Sequence, residues 1–428
     1  MANDIINYGE TTVSRQSLRG LDWLNFFLAD VQGGIGPYLA VYLLAVYHWD
    51  AAKIGWAMSA AGIAGIVAQT PAGWLVDKLR QKRAFIIAAV ALIAASCLSM
   101  VFWVTMPGVL TAQIVTGVSG AVVGPTLAAI TLGLVGRKQF SRQMGRNQAI
   151  NHTGNVIAAA AFGFLGYYFS DKYIFYLIVL MSVFTVLAFL RIRKTDIDYD
   201  LARGSTEEKS KKTEANISGI GAVLHDKRIL IFSAAVILFH FANAAMLPLV
   251  GQELAEESAR ASAAYLSACI ITAQIVMIPV TGLAGKYISN WGRKPIFLVA
   301  FLALPLRGAL YTLSGNPYYL VSVQILDGVA GGIFGVASLI MISDLTSGTG
   351  RFNLVQGAIG TATGIGASLS TVAAGYIVKA FGYNTGFLFL AAVAVAALIV
   401  FWLFVGETEN LDGKDDRKVK LKMAESPA

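Results

Sequence analysis

The sequence predicts an all-α membrane protein of twelve transmembrane helices arranged as two six-helix repeats. Three observations lead there. The chain has 428 residues, of which 56% are hydrophobic and only 14% charged, with a mean hydropathy of +0.64; a soluble protein of this length needs far more charged surface. Runs of about 20 apolar residues recur, each long enough to cross a hydrocarbon core as a helix. One stretch is also written twice: Gln113–Gly124, QIVTGVSGAVVG, returns half a chain later as Gln324–Gly335, QILDGVAGGIFG.

Taken in order, residues 1–20 are a polar segment with no apolar h-region, so no cleavable signal peptide is expected. Six spans follow at 21–47, 53–76, 84–105, 108–135, 141–169 and 172–192, forming a first half over 21–192. Residues 193–226 contain EEKSKKTE and show no apolar period, so they are expected to be a flexible linker. The second half, 227–405, has spans at 227–250, 261–285, 295–314, 317–345, 351–379 and 383–405. A charged tail occupies 406–428.

The duplicated stretch shows what the halves need. Gly117, Gly120 and Gly124, and likewise Gly328, Gly331 and Gly335, lie three, four and seven residues apart. On a helix they form a stripe without side chains that lets a neighbouring helix approach closely. Two homologous halves are the pattern of transporters with the solute site between repeats. Cys97 and Cys269 both sit in apolar spans and are expected to be free, packed thiols rather than a disulfide.

The net charge of +8 does not point to nucleic acid, because its distribution follows the membrane. Outside the spans, Lys53, Lys172, Arg260 and Lys379 fall on one side and nearly all other Lys and Arg on the side of the termini. The positive-inside rule makes that side cytoplasmic. A multi-pass protein of a bacterial inner membrane is expected, with both termini cytoplasmic and the monomer as the transport unit.

Strongly polar side chains within spans are costly in a bilayer and are functional candidates. Asp30 lies about nine residues into the first span, roughly 13 Å deep, just before Gly33-Gly34-Ile35-Gly36-Pro37, which should loosen that helix. Asp327 is similarly placed in the tenth span. In the fifth, Asn147, Asn151 and Asn155 repeat every four residues and share a face, with Gln148 and His152 beside them. That face lines either a hydrated cavity, the favoured reading, or a polar helix contact. Arg146 is nearer the cytoplasmic end, where it can snorkel. His240 and Asn243 are neighbours on the seventh span, and Gln274 and Gln356 could add hydrogen bonds. No Gly-x-x-x-x-Gly-Lys, Cys-x-x-Cys, His-Glu-x-x-His or Ser/His/Asp spacing occurs. Neither direct ATP use nor an enzyme is expected, and no cofactor.

Between the second and third spans stands Gly73-Trp-Leu-Val-Asp77-Lys78-Leu-Arg80-Gln-Lys82-Arg83. It resembles the loop signature of the major facilitator superfamily: a Gly, an Asp four later, then a basic cluster. The corresponding loop of the second half, Gly282–Pro295, is a weaker echo. The resemblance covers residues 20–405. It implies that Asp77, with Gly73, Lys78, Lys82 and Arg83, forms a gate latching the halves near Gly350–Gln356, where a helix N-terminus favours an anion. Arg80 stands where the family usually has Gly, and Lys286 where the second loop often has Asp. Gln113 replaces an Arg common in proton-coupled members, and Gly154–Gly166 lacks the antiporter proline. In the family fold the ninth span is peripheral, which implies that Arg307 reaches an interface.

Asn25–Pro37 and Gly145–Asn155 are similar to one bacterial branch of the superfamily, which includes magnetosome-associated transporters thought to handle iron. The superfamily fold places the first, seventh and tenth spans around a central cavity, so Asp30, His240 and Asp327 are expected to face one solute. Two carboxylates and an imidazole suit a transition metal and leave room for proton coupling. The function expected is secondary active transport of a small polar solute by alternating access, with iron or an iron chelate as the leading specific cargo and the magnetosome membrane as the matching location. The alternatives are proton-coupled efflux of a metabolite or drug, and a non-transporting receptor or scaffold. The partners expected are the small-molecule or ion substrate and the lipid bilayer.

Overall fold

A computed structural model describes residues 5–8, 11–33, 35–78, 82–199, 202, 226–346 and 352–408. The described residues begin with an antiparallel hairpin, β1 (Ile5–Asn7) and β2 (Thr12–Ser14), in which Ile6 pairs with Val13. Then come α1 (Arg15–Gly33), α2 (Ile35–Tyr47), α3 (Ala51–Lys78), α4 (Lys82–Phe102), α5 (Met106–Tyr168) and α6 (Lys172–Leu190). Beyond a short 3-10 turn at Lys194–Asp196 lie α7 (Lys227–Ala244), α8 (Met246–Glu257), α9 (Ser262–Trp291), α10 (Arg293–Tyr311), α11 (Pro317–Leu345), α12 (Phe352–Phe381) and α13 (Tyr383–Phe404).

Ten of the described helical stretches are long and apolar enough to cross a membrane. The first expected span is divided, α1 ending at Gly33 and α2 starting at Ile35, with Pro37 in the opening turn of α2, a position where its missing N–H costs nothing. The fourth and fifth spans form one 63-residue helical run, broken in direction at Gly136 (φ 73°), a conformation that glycine adopts without a Cβ clash.

The described residues fall into two compact units. One lies within Met1–Ile217 plus Gly251–Ala268, the other within Ser218–Val250 plus Cys269–Ala428. In the first, α3 and α4 pack on the early part of α5, and α1 packs on α5 and α6. Gly117 approaches so closely that a Cβ would collide with the Ala61 carbonyl, and a Cβ on Gly154 would strike the Phe26 carbonyl. The start of α9 belongs here because the Tyr38 and Ser267 hydroxyls hydrogen-bond at 2.7 Å, while Gly163 leaves room for the same serine. Where Asp171 starts α6 it is 8% exposed, and burial pushes its carboxyl up to about 6.

The linker from residue 193 was expected to be flexible, and its described start is held in place, as is the N-terminal segment. Thr11 Oγ1 donates to the Leu134 carbonyl at 2.8 Å, and Asp198 N–H donates to the Gly133 carbonyl at 2.9 Å. Asp196 Oδ2 accepts from Ser14 N–H at 3.0 Å, Ser14 Oγ at 2.5 Å and Ser17 Oγ at 2.7 Å. Burial pushes the Asp196 carboxyl up, but these donors and Arg193 outweigh it and hold it below the usual carboxylate range.

In the second unit, α7 packs against α12 and α13, and α10 against α11 and α13. Its core is aromatic: Phe301 and Phe401 stack at 4.3 Å, and Phe239 and Phe334 at 4.6 Å. The chain after α13 folds back, so that Glu407 accepts the Arg293 and Lys294 N–H groups at 3.0 Å each. Thr408 Oγ1 and Arg293 Nε both donate to Asp344 Oδ2, at 2.8 and 3.0 Å.

Candidate functional site

The second unit holds a charge network in the middle of apolar helices. Arg307 on α10 is 1% exposed. It can be buried there because Gly308 beside it lets α13 approach: a Cβ would meet Ala391 Cβ at 2.9 Å and the Phe387 carbonyl at 3.2 Å. Arg307 Nη1 donates to Asp327 Oδ1 of α11 at 2.5 Å and to Asn243 Oδ1 of α7 at 2.6 Å. Nε donates to the Tyr311 hydroxyl, one helical turn on, at 2.7 Å. Gln324 Nε2 also donates to that hydroxyl, at 2.8 Å. A buried ion is tolerated only when paired and hydrogen-bonded, and here Nε and Nη1 each donate to a named oxygen.

The two charges differ in access. The Asp327 side chain keeps 20% of its surface whereas Arg307 keeps 1%. The carboxylate therefore keeps exposed surface that the guanidinium lacks. Protonating Asp327 would cancel one charge and leave Arg307 held only by Asn243 and Tyr311, so the state of one atom is tied to the geometry of three helices.

This corrects two expectations. Arg307 does not reach an interface, because Asp327 and Asn243 satisfy it inside the unit. Asp327 is engaged by Arg307 rather than free to ligate a metal. His240 lies edge-on to the rings of Phe239 and Phe334, with Nε2 buried and without a hydrogen-bond partner among the described residues. Asp30 lies in α1 but its side chain is outside the described residues. Among the described residues, no group of three or more His, Cys, Asp or Glu gathers to hold a metal.

In the fifth-span face, Asn147 is 2% exposed, accepting from Gln143 Nε2 at 2.9 Å and donating to Thr131 Oγ1 at 3.3 Å. It therefore serves a polar helix contact. Asn151 Nδ2 donates to the Asn25 carbonyl and Asn155 Nδ2 to Asn151 Oδ1, each at 3.4 Å. These two and His152 are half-buried, and Gln148 is exposed. Arg146 pairs with Asp22 at 2.7 Å.

The side chains of Gly73–Lys82 lie outside the described residues, so those of Asp77, Lys78 and Lys82 are not placed. Arg83 is described: Nη1 donates to the Ile192 carbonyl at 2.9 Å, and the guanidinium sits 5.3 Å from the Phe189 ring centre. In the glycine stripes, close approach is made by Gly117, Gly328 and Gly331, whereas a Cβ on Gly120, Gly124 or Gly335 would meet nothing within 4 Å. Cys97 and Cys269 are free and buried.

Sequence reasoning assigned Arg307 to an interface and missed Tyr311. A signal existed for the first, since a lone Arg in one span with a lone Asp in the next is a candidate pair.

Comparison with known proteins agrees with this architecture. The family model of the Major Facilitator Superfamily matches residues 23–306 and 275–425. An uncharacterized MFS-type transporter of Mycobacterium tuberculosis is 47% identical over 394 residues, 92% of this chain and 94% of that protein. Among solved structures, the nucleoside transporter NupG superposes with a TM-score of 0.75 at 18% identity, covering 91% of this chain and 98% of that one. A D-xylose–proton symporter gives 0.71 at 14% identity, over 92% and 98%. At such identities these structures speak for the fold.

Proposed function

The chain belongs to the major facilitator superfamily as a secondary-type transporter, and we propose that it moves a small polar solute in exchange with or alongside protons, using the Arg307–Asp327 pair as the coupling element. The observation behind this is the difference in access within one ion pair, 20% for the carboxylate and 1% for the guanidinium. A titratable group that can be reached, tied to a cation that cannot, converts a protonation event into a change of packing among α7, α10 and α11. The proposal includes a bacterial inner membrane with both termini cytoplasmic, supported by the distribution of Lys and Arg, and transport without covalent catalysis. An iron cargo and a magnetosome location are not part of it, because Asp327 is committed to Arg307.

The test uses purified protein in liposomes, with a nucleoside, a pentose and a dipeptide as trial solutes, with and without an inward proton gradient. Asp327→Asn keeps a hydrogen-bond acceptor for Arg307 but cannot titrate. It is expected to abolish gradient-driven accumulation while retaining exchange of solute across the membrane. Accumulation at the wild-type level in that variant would overturn the coupling role.

A further inference from the structure

The first unit holds two adjoining cavities that the transport reading does not use. One, of about 440 Å³, is lined by Tyr8, Arg15, Arg19, Asp22, Gln143 and Arg146 among others. The second, of about 470 Å³, shares Arg19 and Asp22 and continues along Trp23, Phe26, Ile150 and Ile157. Both run between α1 and the later part of α5. Among the described residues the first is basic, with three arginines against a single carboxylate; the second is apolar with an aromatic wall.

The charge does not cancel within the site. Asp22 is taken by Arg146 in a two-point pair at 2.7 and 3.0 Å. Arg15 and Arg19 are one helical turn apart and exposed, and neither has an ion-pair or hydrogen-bond partner among the described residues. Two like charges held a turn apart at the mouth of an apolar groove repel each other unless an anion lies between them. From Arg146 to Ile157 the groove follows eleven residues of helix, roughly 16 Å, a distance that an acyl chain spans.

We propose that this groove binds a phospholipid with an anionic headgroup, its phosphate between Arg15 and Arg19 and one acyl chain along Trp23, Phe26, Ile150 and Ile157. The charged end lies at the start of the first span, where headgroups are, and Trp23 is of the residue type enriched at that depth. Basic pockets beside membrane helices recognise anionic headgroups by this chemistry. A free anion would use the arginines but leave the aromatic wall bare, and a zwitterionic lipid would gain little from two unpaired cations. The proposal is independent of which solute is carried.

The test is native mass spectrometry of the purified full-length protein, titrated with phosphatidylglycerol and with phosphatidylcholine of the same acyl chains. The wild type is expected to retain phosphatidylglycerol about tenfold better. The double variant Arg15→Gln/Arg19→Gln should bring it down to the phosphatidylcholine level. Thr153 also lines the apolar cavity, and its hydroxyl bonds only its own helix, donating to the Ala149 carbonyl. Thr153→Trp leaves the charges untouched and should lower retention of both lipids. Equal retention of the two lipids by the wild type, or undiminished phosphatidylglycerol in the double variant, overturns the proposal. So does competition by soluble glycerol phosphate at the same concentration as the lipid, because the acyl chain would then contribute nothing. Lipid retention is read without any transport, so its failure and that of the coupling role are separate results.

Discussion

Arg307 and Asp327 stand 2.5 Å apart, one on each of two consecutive helices, and the arginine is the largest fully buried side chain among the described residues. Removing one partner of such a pair leaves an uncompensated buried charge, which costs about 3–5 kcal/mol. Arg307→Met should therefore lower thermal stability in detergent strongly. Arg307→Met/Asp327→Leu removes both charges and should recover most of that loss while remaining inactive in transport. A double variant as unstable as the single one would mean that the pair is structural scaffolding.

The glycine stripe should be sharply uneven. Gly117→Val places side-chain atoms on the Ala61 carbonyl, and α3 cannot yield without moving its whole length. It should abolish the monodisperse elution of the purified protein, whereas Gly120→Ala, which meets nothing within 4 Å, should elute as wild type. Equal tolerance at both positions would contradict the close approach.

Asp171 should make the first unit more stable in mild acid than at neutral pH. Its folded-state carboxyl is raised to about 6 by burial, so the protonated form is the one that the fold prefers. The stability that this contributes is present below the ordinary carboxylate value, near 4, and is lost as pH rises through 6. Melting temperature is expected to fall between pH 5 and pH 7.5, corresponding to roughly 1.4 kcal/mol, and Asp171→Asn should flatten that profile.

Asp196 should behave with the opposite sign. Its carboxyl is held low by the Ser14 and Ser17 donors against the pull of burial, so its contribution is present above the ordinary carboxylate value and lost as pH falls toward the folded one. Asp196→Asn or Ser17→Ala should increase protease cleavage near residue 14 at pH 7 and make little difference at pH 3.5. Unchanged cleavage at pH 7 would remove the role of the clasp.

The sequence made the helices legible because their signals are local. An apolar run of 20 residues and a duplicated Gln113–Gly124 motif are visible without knowing what touches what. Contacts across helices were not. The i, i+4 spacing put Asn147, Asn151 and Asn155 on one face, but Thr131 on the preceding stretch of α5 decides that Asn147 is buried. Likewise Ile5–Asn7 and Thr12–Ser14 show too little hydrophobicity to announce a docked hairpin; Asp196, which anchors it, lies about 180 residues away. The ion pair leaves one trace in the repeat itself: Thr116 occupies the place in the first copy that Asp327 has in the second. The charge belongs to one half only, which no amount of symmetry in the motif could have announced.

Glu407 caps the start of α10 from 114 residues downstream, and this sets a timetable for the nascent chain. The first α10 amides leave the ribosome long before their acceptor exists, and Asp344 must wait for Thr408, 64 residues on. The first unit's clasp spans a longer interval, 182 residues, but closes earlier in synthesis, since Asp196 reaches Ser14 once six spans have been made. The two halves therefore finish at different moments of synthesis, the first while translation continues and the second only once the residues beyond α13 have emerged. A ribosome stalled just before codon 407 would hold a membrane-inserted chain whose first half is clasped and whose ninth span is still uncapped.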